Sequence, residues 1–218
     1  MQLVPLLFMA LTTTALAQDP FAPPGTALDG QSPESLAASW WQWAASAPEE
    51  LSPVRDRTGT HCAVGQKGEA WFLAGGYGSS NIRRACAVPK GRHLFFPVIN
   101  MVYWPAEEGT GYPCERARRS AALNNDGAID LFVELDGKAL PDPKRYRVTT
   151  TQCFDIFARA REVAPAPVGF PAATDGYWVI LKPLSPGKHV LKFGGRYNRE
   201  SGAYGRMVQD IEYELEVR

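Results

Sequence analysis

What the chain lacks narrows it first. It has no excess of charge: 23 Lys and Arg stand against 23 Asp and Glu among 218 residues. A neutral chain has no basic stripe to displace counterions from phosphates, which argues against a nucleic-acid partner. Arginines that do cluster, Arg83-Arg84 and Arg116, Arg118 and Arg119, read as solvated surface beside carboxylates. After residue 17 no apolar run is long enough to span a bilayer. Histidine is scarce, at His61, His93 and His189 only, with no His-x-His or His-Glu-x-x-His. Neither a cupin-type metal site nor a metalloprotease is therefore expected, and no cysteine pair has zinc-knuckle spacing. Only tertiary neighbourhood could bring His93 and His189 together. No Gly-x-Ser-x-Gly elbow occurs, and Ala74-Gly75-Gly76-Tyr77-Gly78 is not followed by the Lys-Ser/Thr of a phosphate loop. Asn124-Asn125-Asp126-Gly127 reads as a turn, since Ala122 and Val133 occupy the first and twelfth positions of the corresponding calcium loop. No metal and no cofactor are expected.

What is present begins with Met1 to Ala17, an uncharged apolar run closing on Ala15-Leu16-Ala17 before the polar Gln18-Asp19-Pro20. Although no Lys or Arg precedes it, this is the pattern of a secretory signal peptide cleaved near Ala17. It predicts a periplasmic or secreted protein. In an oxidising compartment, Cys62, Cys86, Cys114 and Cys153 read as two disulfides. Four cysteines allow three pairings. Cys62–Cys86 with Cys114–Cys153 is the expected one, each closing a loop of moderate length around one expected hairpin.

The remainder, about 200 residues, suffices for one core. Residues 18 to 31 (QDPFAPPGTALDGQ) have little to bury and predict a flexible arm. Ser32-Pro33-Glu34 starts a helix, with Leu36, Trp40, Trp43 and Ala44 on one face, Trp41 and Ala45 beside it, and Pro48 ending it. Glu115 to Leu123 predicts a second, short helix. Elsewhere short apolar runs between Gly and Pro predict strands, among them Ala70 to Leu73 and His93 to Ile99. Asp136-Gly137 marks a tight turn, and Tyr177 to Leu181 with His189 to Phe193 reads as a second hairpin. Ile211 to Val217 alternates strictly, as a strand does with one face on a core and one in water. The sum is a mainly β, antiparallel β-sandwich or jelly-roll-like domain over 32–218 with an N-terminal helix.

Several runs occur together in order: Trp40-Trp41-Gln42-Trp43, Cys62 to Gly68, Trp71 to Gly75, Arg84 to Gly91, Leu94 to Asn100, Asp175-Gly176-Tyr177-Trp178 and Leu184 to His189. This arrangement resembles an uncharacterised family of small exported bacterial proteins. The resemblance implies export and a single domain, and no activity.

Three functions compete. The first is a binding protein for a small ligand, glycan or envelope partner, with Tyr103, Trp104 and Tyr112 on Gly/Pro-rich loops and Gln66 near the first bridge as contact residues, and Tyr77 a further loop aromatic. The second is a secreted hydrolase drawing on Asp56, Glu69 or Glu108 with Arg84 and His93 in one cleft, since glycoside cleavage needs two carboxyls held about 5–10 Å apart. The third is a structural envelope component without chemistry.

Overall fold

The computed structural model describes residues 19–105 and 111–218; the expected signal peptide and Glu108 lie outside them. Helix α1 (Pro33–Ala44) starts as the sequence predicts, with Ser32 Oγ accepting the Ser35 N–H at 3.3 Å and Pro33 in the first turn, where its missing N–H costs nothing. Among the described residues nine strands follow: β1 (Ala70–Phe72), β2 (Ser80–Val88), β3 (His93–Tyr103), β4 (Ala128–Leu135), β5 (Lys138–Ala139), β6 (Arg147–Thr149), β7 (Ala173–Leu181), β8 (Gly187–Tyr197) and β9 (Val208–Val217). Helix α2 (Cys114–Asn125) sits between β3 and β4.

Two sheets form, one in the order β1-β3-β7-β6 and one in the order β2-β9-β8-β4-β5. The mainly β sandwich with an N-terminal helix is thus as expected. Most pairings are antiparallel, while β1 with β3 and β2 with β9 run parallel. The two sheets enclose one apolar core, in which Phe96 and Val179 meet Leu191, Phe193 and Tyr213. Phe96 and Phe193 lie 4.5 Å apart between ring centres. Helix α1 covers the other face of the four-stranded sheet, setting Leu36, Trp40 and Trp43 against Phe72, Phe95, Trp178 and Ile180. Burying each such side chain contributes about 1.5–3 kcal/mol.

Strand β7 is buried at every residue because both its faces are covered, whereas β9 alternates buried and wet positions. That difference corrects the expected second hairpin. Strands β7 and β8 belong to different sheets, and Ser185-Pro186-Gly187 carries the chain across the sandwich. A strand apolar on both faces needs cover on both, and an alternating neighbour in its own sheet would leave one face wet. The turn at Asp136-Gly137 does form, with both residues at positive φ (52° and 75°).

Residues 20–22, expected in a loose arm, instead run antiparallel beside β7: Ala22 N–H donates to Ile180 O and Lys182 N–H to Pro20 O, both at 2.9 Å. Phe21 and Leu28 are buried; few apolar residues suffice when each lands in a core. Both expected disulfides are present, Cys62–Cys86 and Cys114–Cys153. They suit an oxidising, non-cytoplasmic compartment. Among the described residues no helix is long and apolar enough to cross a membrane.

Candidate functional site

Strand β3 pairs with β7 from Leu94 to Tyr103, but with β1 only through His93, Leu94 and Phe95. After Phe72 the chain peels away. Leu73 N–H makes the last bond to β3, to Phe95 O at 3.1 Å. Ala74 N–H then turns to Tyr213 Oη at 3.0 Å, and Gly76 N–H to Gln209 Oε1 at 2.9 Å, both on β9. Gly76 is required here, since a Cβ would stand 2.1 Å from Ser80 Oγ and 2.8 Å from Ile82 Cδ1.

Arg84 holds this departing segment. The sequence reads Arg83-Arg84 as solvated, but strand periodicity turns neighbours to opposite faces, and Arg84 is only 2 % exposed. Its guanidinium donates to the carbonyls of Val54, Asp56, Ala74 and Gly75 and to Tyr213 Oη, at 2.6–3.1 Å. Five acceptors on one buried cation fix two loops to β2.

The result is a cleft of about 200 Å³. Its floor is Pro97 to Val102 without a gap, and its far wall is Gly75 to Gly78. A cavity over a sheet face would be lined by every second residue, so this one runs along the strand's edge. Trp40, Trp41, Trp104, Tyr77, Tyr204 and Met207 complete it. Three of these rings are well exposed, Trp104 at 37 %, Tyr77 at 51 % and Tyr204 at 58 %. Trp41 is oriented by its indole N–H, which donates to Thr174 Oγ1 at 2.9 Å. Trp104 stands edge-on to Phe157, 6.0 Å between ring centres. Asn100 lines the floor with its amide Nδ2 buried and without a hydrogen-bond partner. A buried unsatisfied amide costs about 1–3 kcal/mol, so an acceptor brought to it is favourable. Among the described residues no charged side chain lines the cleft.

Of the residues expected at a binding site, Trp104 reaches the cleft, as does the further loop aromatic Tyr77, while Gln66, Tyr103 and Tyr112 do not. Tyr103 and Tyr112 stack on each other at 5.5 Å, with Arg116 over Tyr112 at 5.0 Å. The hydrogen bond that the Tyr103 hydroxyl gives to Tyr112, then burial, raises the Tyr103 pKa. At Tyr112 burial acts upward but is outweighed by hydrogen bonds to Tyr103 and Ser120 and by the arginines, which lower it. Gln66 is a fastener: its amide bonds Phe72 N–H and Phe72 O at 2.9 and 2.8 Å and Cys62 O at 2.9 Å, leaving nothing for a ligand.

The hydrolytic candidates do not assemble in the cleft, which none of Asp56, Glu69, Arg84 and His93 lines. Asp56 closes a turn, accepting from Thr58 N–H, Thr58 Oγ1 and His61 N–H at 2.7–2.8 Å. Burial raises its pKa, the backbone N–H of His61 and the bonds to Thr58 lower it, and the balance is below the usual carboxylate value. Glu69 is exposed, and His93 opens β3 while His189 lies on β8 in the other sheet. Among the described residues no group of three or more His, Cys, Asp and Glu could hold a metal ion. Asn100, Trp41, Tyr204 and Met207 escaped the sequence reading. The one available signal was Pro97 within an apolar strand, because proline in a strand marks an edge or a bulge; the register does shift between Pro97 and Ile99.

No protein-family model matches the chain, and no curated protein matches it. Among solved structures, the cysteine protease inhibitor EhICP2 from Entamoeba histolytica is similar at 15 % identity, over 62 % of this chain and 86 % of that one, with a TM-score of 0.24. A likeness that low carries no argument about function.

Proposed function

We propose that this is an exported binding protein, periplasmic or secreted after cleavage near Ala17, whose ligand lies in the cleft along β3. The reading fits the small exported family that the sequence resembles. One observation carries it: an apolar slot, uncharged among the described residues, whose mouth exposes three aromatic rings and whose floor holds an unpartnered amide. Sites for small ligands combine mostly apolar walls with a few polar groups that fix orientation. Monomeric proteins seldom leave such aromatic surface wet without use. The hydrolase reading loses support because Asp56 closes a turn and Glu69 faces solvent, and a purely structural component needs no such slot.

The test is a thermal-shift screen of the mature protein against glycans, apolar small molecules and peptides, run beside a Trp104→Ala/Tyr204→Ala double variant. The expected result is a ligand class that raises the wild-type melting temperature and leaves the variant's unchanged. A screen without any hit, or hits indifferent to the double variant, overturns the proposal.

A further inference from the structure

We infer that the cleft's ligand is an extended polypeptide segment of a partner protein, uncharged where it binds, which adds to β3 as a further strand. The inference rests on the cleft being the binding site. Backbone direction along β3 carries it. Thr174 N–H donates to Thr150 Oγ1 and Thr174 O accepts from Thr150 N–H, both at 3.0 Å, so Thr174 turns its backbone toward the β6 side of the sheet. Backbone direction alternates along a strand, so Asp175 and Tyr177 face β3, opposite their partners Met101 and Ile99. Asn100 and Val102 therefore present N–H and C=O to the slot. Among the described residues no backbone bond outside the β3–β7 ladder reaches residues 96–103.

Two donors and two acceptors repeat along the slot at about 6.6–6.8 Å, the spacing of alternate residues in a strand. A polypeptide backbone matches that pattern, and a sugar ring does not. Asn100 has a third polar group, its unpartnered Nδ2, at the same place. The glycine wall opposite projects few side chains, and its Ala74 and Gly76 N–H groups are already bonded to Tyr213 and Gln209. The incoming strand accordingly pairs with β3 alone.

The other sheet edges are guarded. Strands β1, β5 and β6 are two or three residues long, and β2 carries the exposed Arg83. Short edges and edge charges are how proteins prevent unwanted pairing. From His93 to Trp104 there is no Asp, Glu, Lys or Arg. An edge left long, apolar and uncharged suits β-augmentation, in which main-chain bonds give affinity and alternate side chains give selectivity. With Trp41 and Trp104 on one side and Tyr204 and Met207 on the other, the bound segment carries apolar residues.

The experiment selects linear dodecapeptides from a displayed library on the mature protein and resynthesises them. Binding is then measured against wild type and Val102→Pro, a change that removes a slot-facing N–H but no β7 ladder bond. The expected result is peptide binding that slows exchange of the Asn100 and Val102 amides and weakens by about tenfold or more in the variant. Exchange protection in wild type stands as a readout even where the variant folds poorly. No selectable peptide, or binding that leaves both amides unprotected, overturns the inference. Trp104-dependent binding of glycans or small molecules alone overturns the peptide while sparing the cleft. Concentration-dependent dimers with the same two amides protected overturn it in favour of a second copy of this chain, and failure of every ligand class removes the cleft as well.

Discussion

Strand β3 is two strands in one. Through Leu94 and Phe95 it lies between β1 and β7, with Phe95 under α1 and the next residue, Phe96, in the sandwich core. From Val98 to Tyr103 it has β7 on one side and open space on the other, and Asn100 to Tyr103 are only half-buried. Composition barely distinguishes the halves, since both are apolar and uncharged. The difference lies in what the preceding chain does: it pairs for three residues, then is drawn to β9 and Arg84. An apolar strand is thus half core and half binding surface, according to contacts made by residues elsewhere in the sequence.

The largest expected effect separates the halves by truncation. Phe96→Ala, on the closed half, should cost about 3–5 kcal/mol by chemical denaturation, because a fully buried ring leaves a cavity. Val102→Ala, on the open half, should cost less than about 1 kcal/mol, since surface positions seldom exceed that. Equal losses would erase the distinction. Arg84→Leu comes next. It strips donors from three buried carbonyls, from the part-buried Asp56 carbonyl and from Tyr213 Oη, and should destabilise by about 3 kcal/mol or more. If Arg84→Leu left both stability and amide exchange around Gly75 unchanged, the wall of the cleft would not depend on that cation.

Third, Cys62–Cys86 joins β2 to the loop that leads into β1. Bridging residues 24 apart contributes about 3 kcal/mol on the chain-entropy account. Replacing both cysteines by serine should lower the melting temperature by several degrees. It should also speed exchange at His93 to Phe95 more than at Ile99 to Tyr103, making the closed half resemble the open one. Uniform acceleration would mean that the bridge does not hold β1 in place.

How far this could be read from sequence follows the same division between local and distant causes. Helix α1 was legible because Ser32, Pro33 and the tryptophan spacing all lie within it, and β9 because its alternation is its own. The cysteine pairing was legible as a preference. The open edge was not: whether Asn100 meets a neighbouring strand depends on Gly76 being bonded to Gln209, 133 residues away. Arg84 looked like surface because four of its five acceptors are carbonyls, which leave no trace in composition. Trp104 was found as an aromatic on a turn-rich stretch, and Tyr103 beside it by the same rule, yet only Trp104 lines the cleft. Sequence named the type of residue, and tertiary structure chose the member.

The smallest effect concerns pH and contrasts the cleft with the start of β8 in the other sheet. Among the described residues no Asp, Glu, His, Lys or Arg lines the cleft, so affinity for its ligand should stay flat between about pH 5 and 8. Stability should not. His189 Nδ1 faces Asp136 Oδ2 at 2.8 Å and Nε2 faces Ser185 O at 2.9 Å, an arrangement that suits the doubly protonated ring. Burial lowers the His189 pKa, but the bonds to Asp136 and Ser185 raise it further, leaving it above its ordinary 6.5. At Asp136 burial acts upward and is outweighed by His189 and the Val190 N–H, leaving it below 3.8. A raised histidine contributes stability that is fully present below its unfolded pKa and is lost as pH rises through the folded one. A lowered aspartate contributes stability present above its unfolded pKa and lost as pH falls through the folded one. The pair is therefore at full strength between about pH 4.5 and 6, weakening on either side. NMR titration should place His189 above its ordinary 6.5, and His189→Gln should flatten the alkaline limb of the stability profile without changing ligand affinity. A His189 titrating at or below 6.5, or a cleft affinity that follows its titration, would break the separation of the two regions.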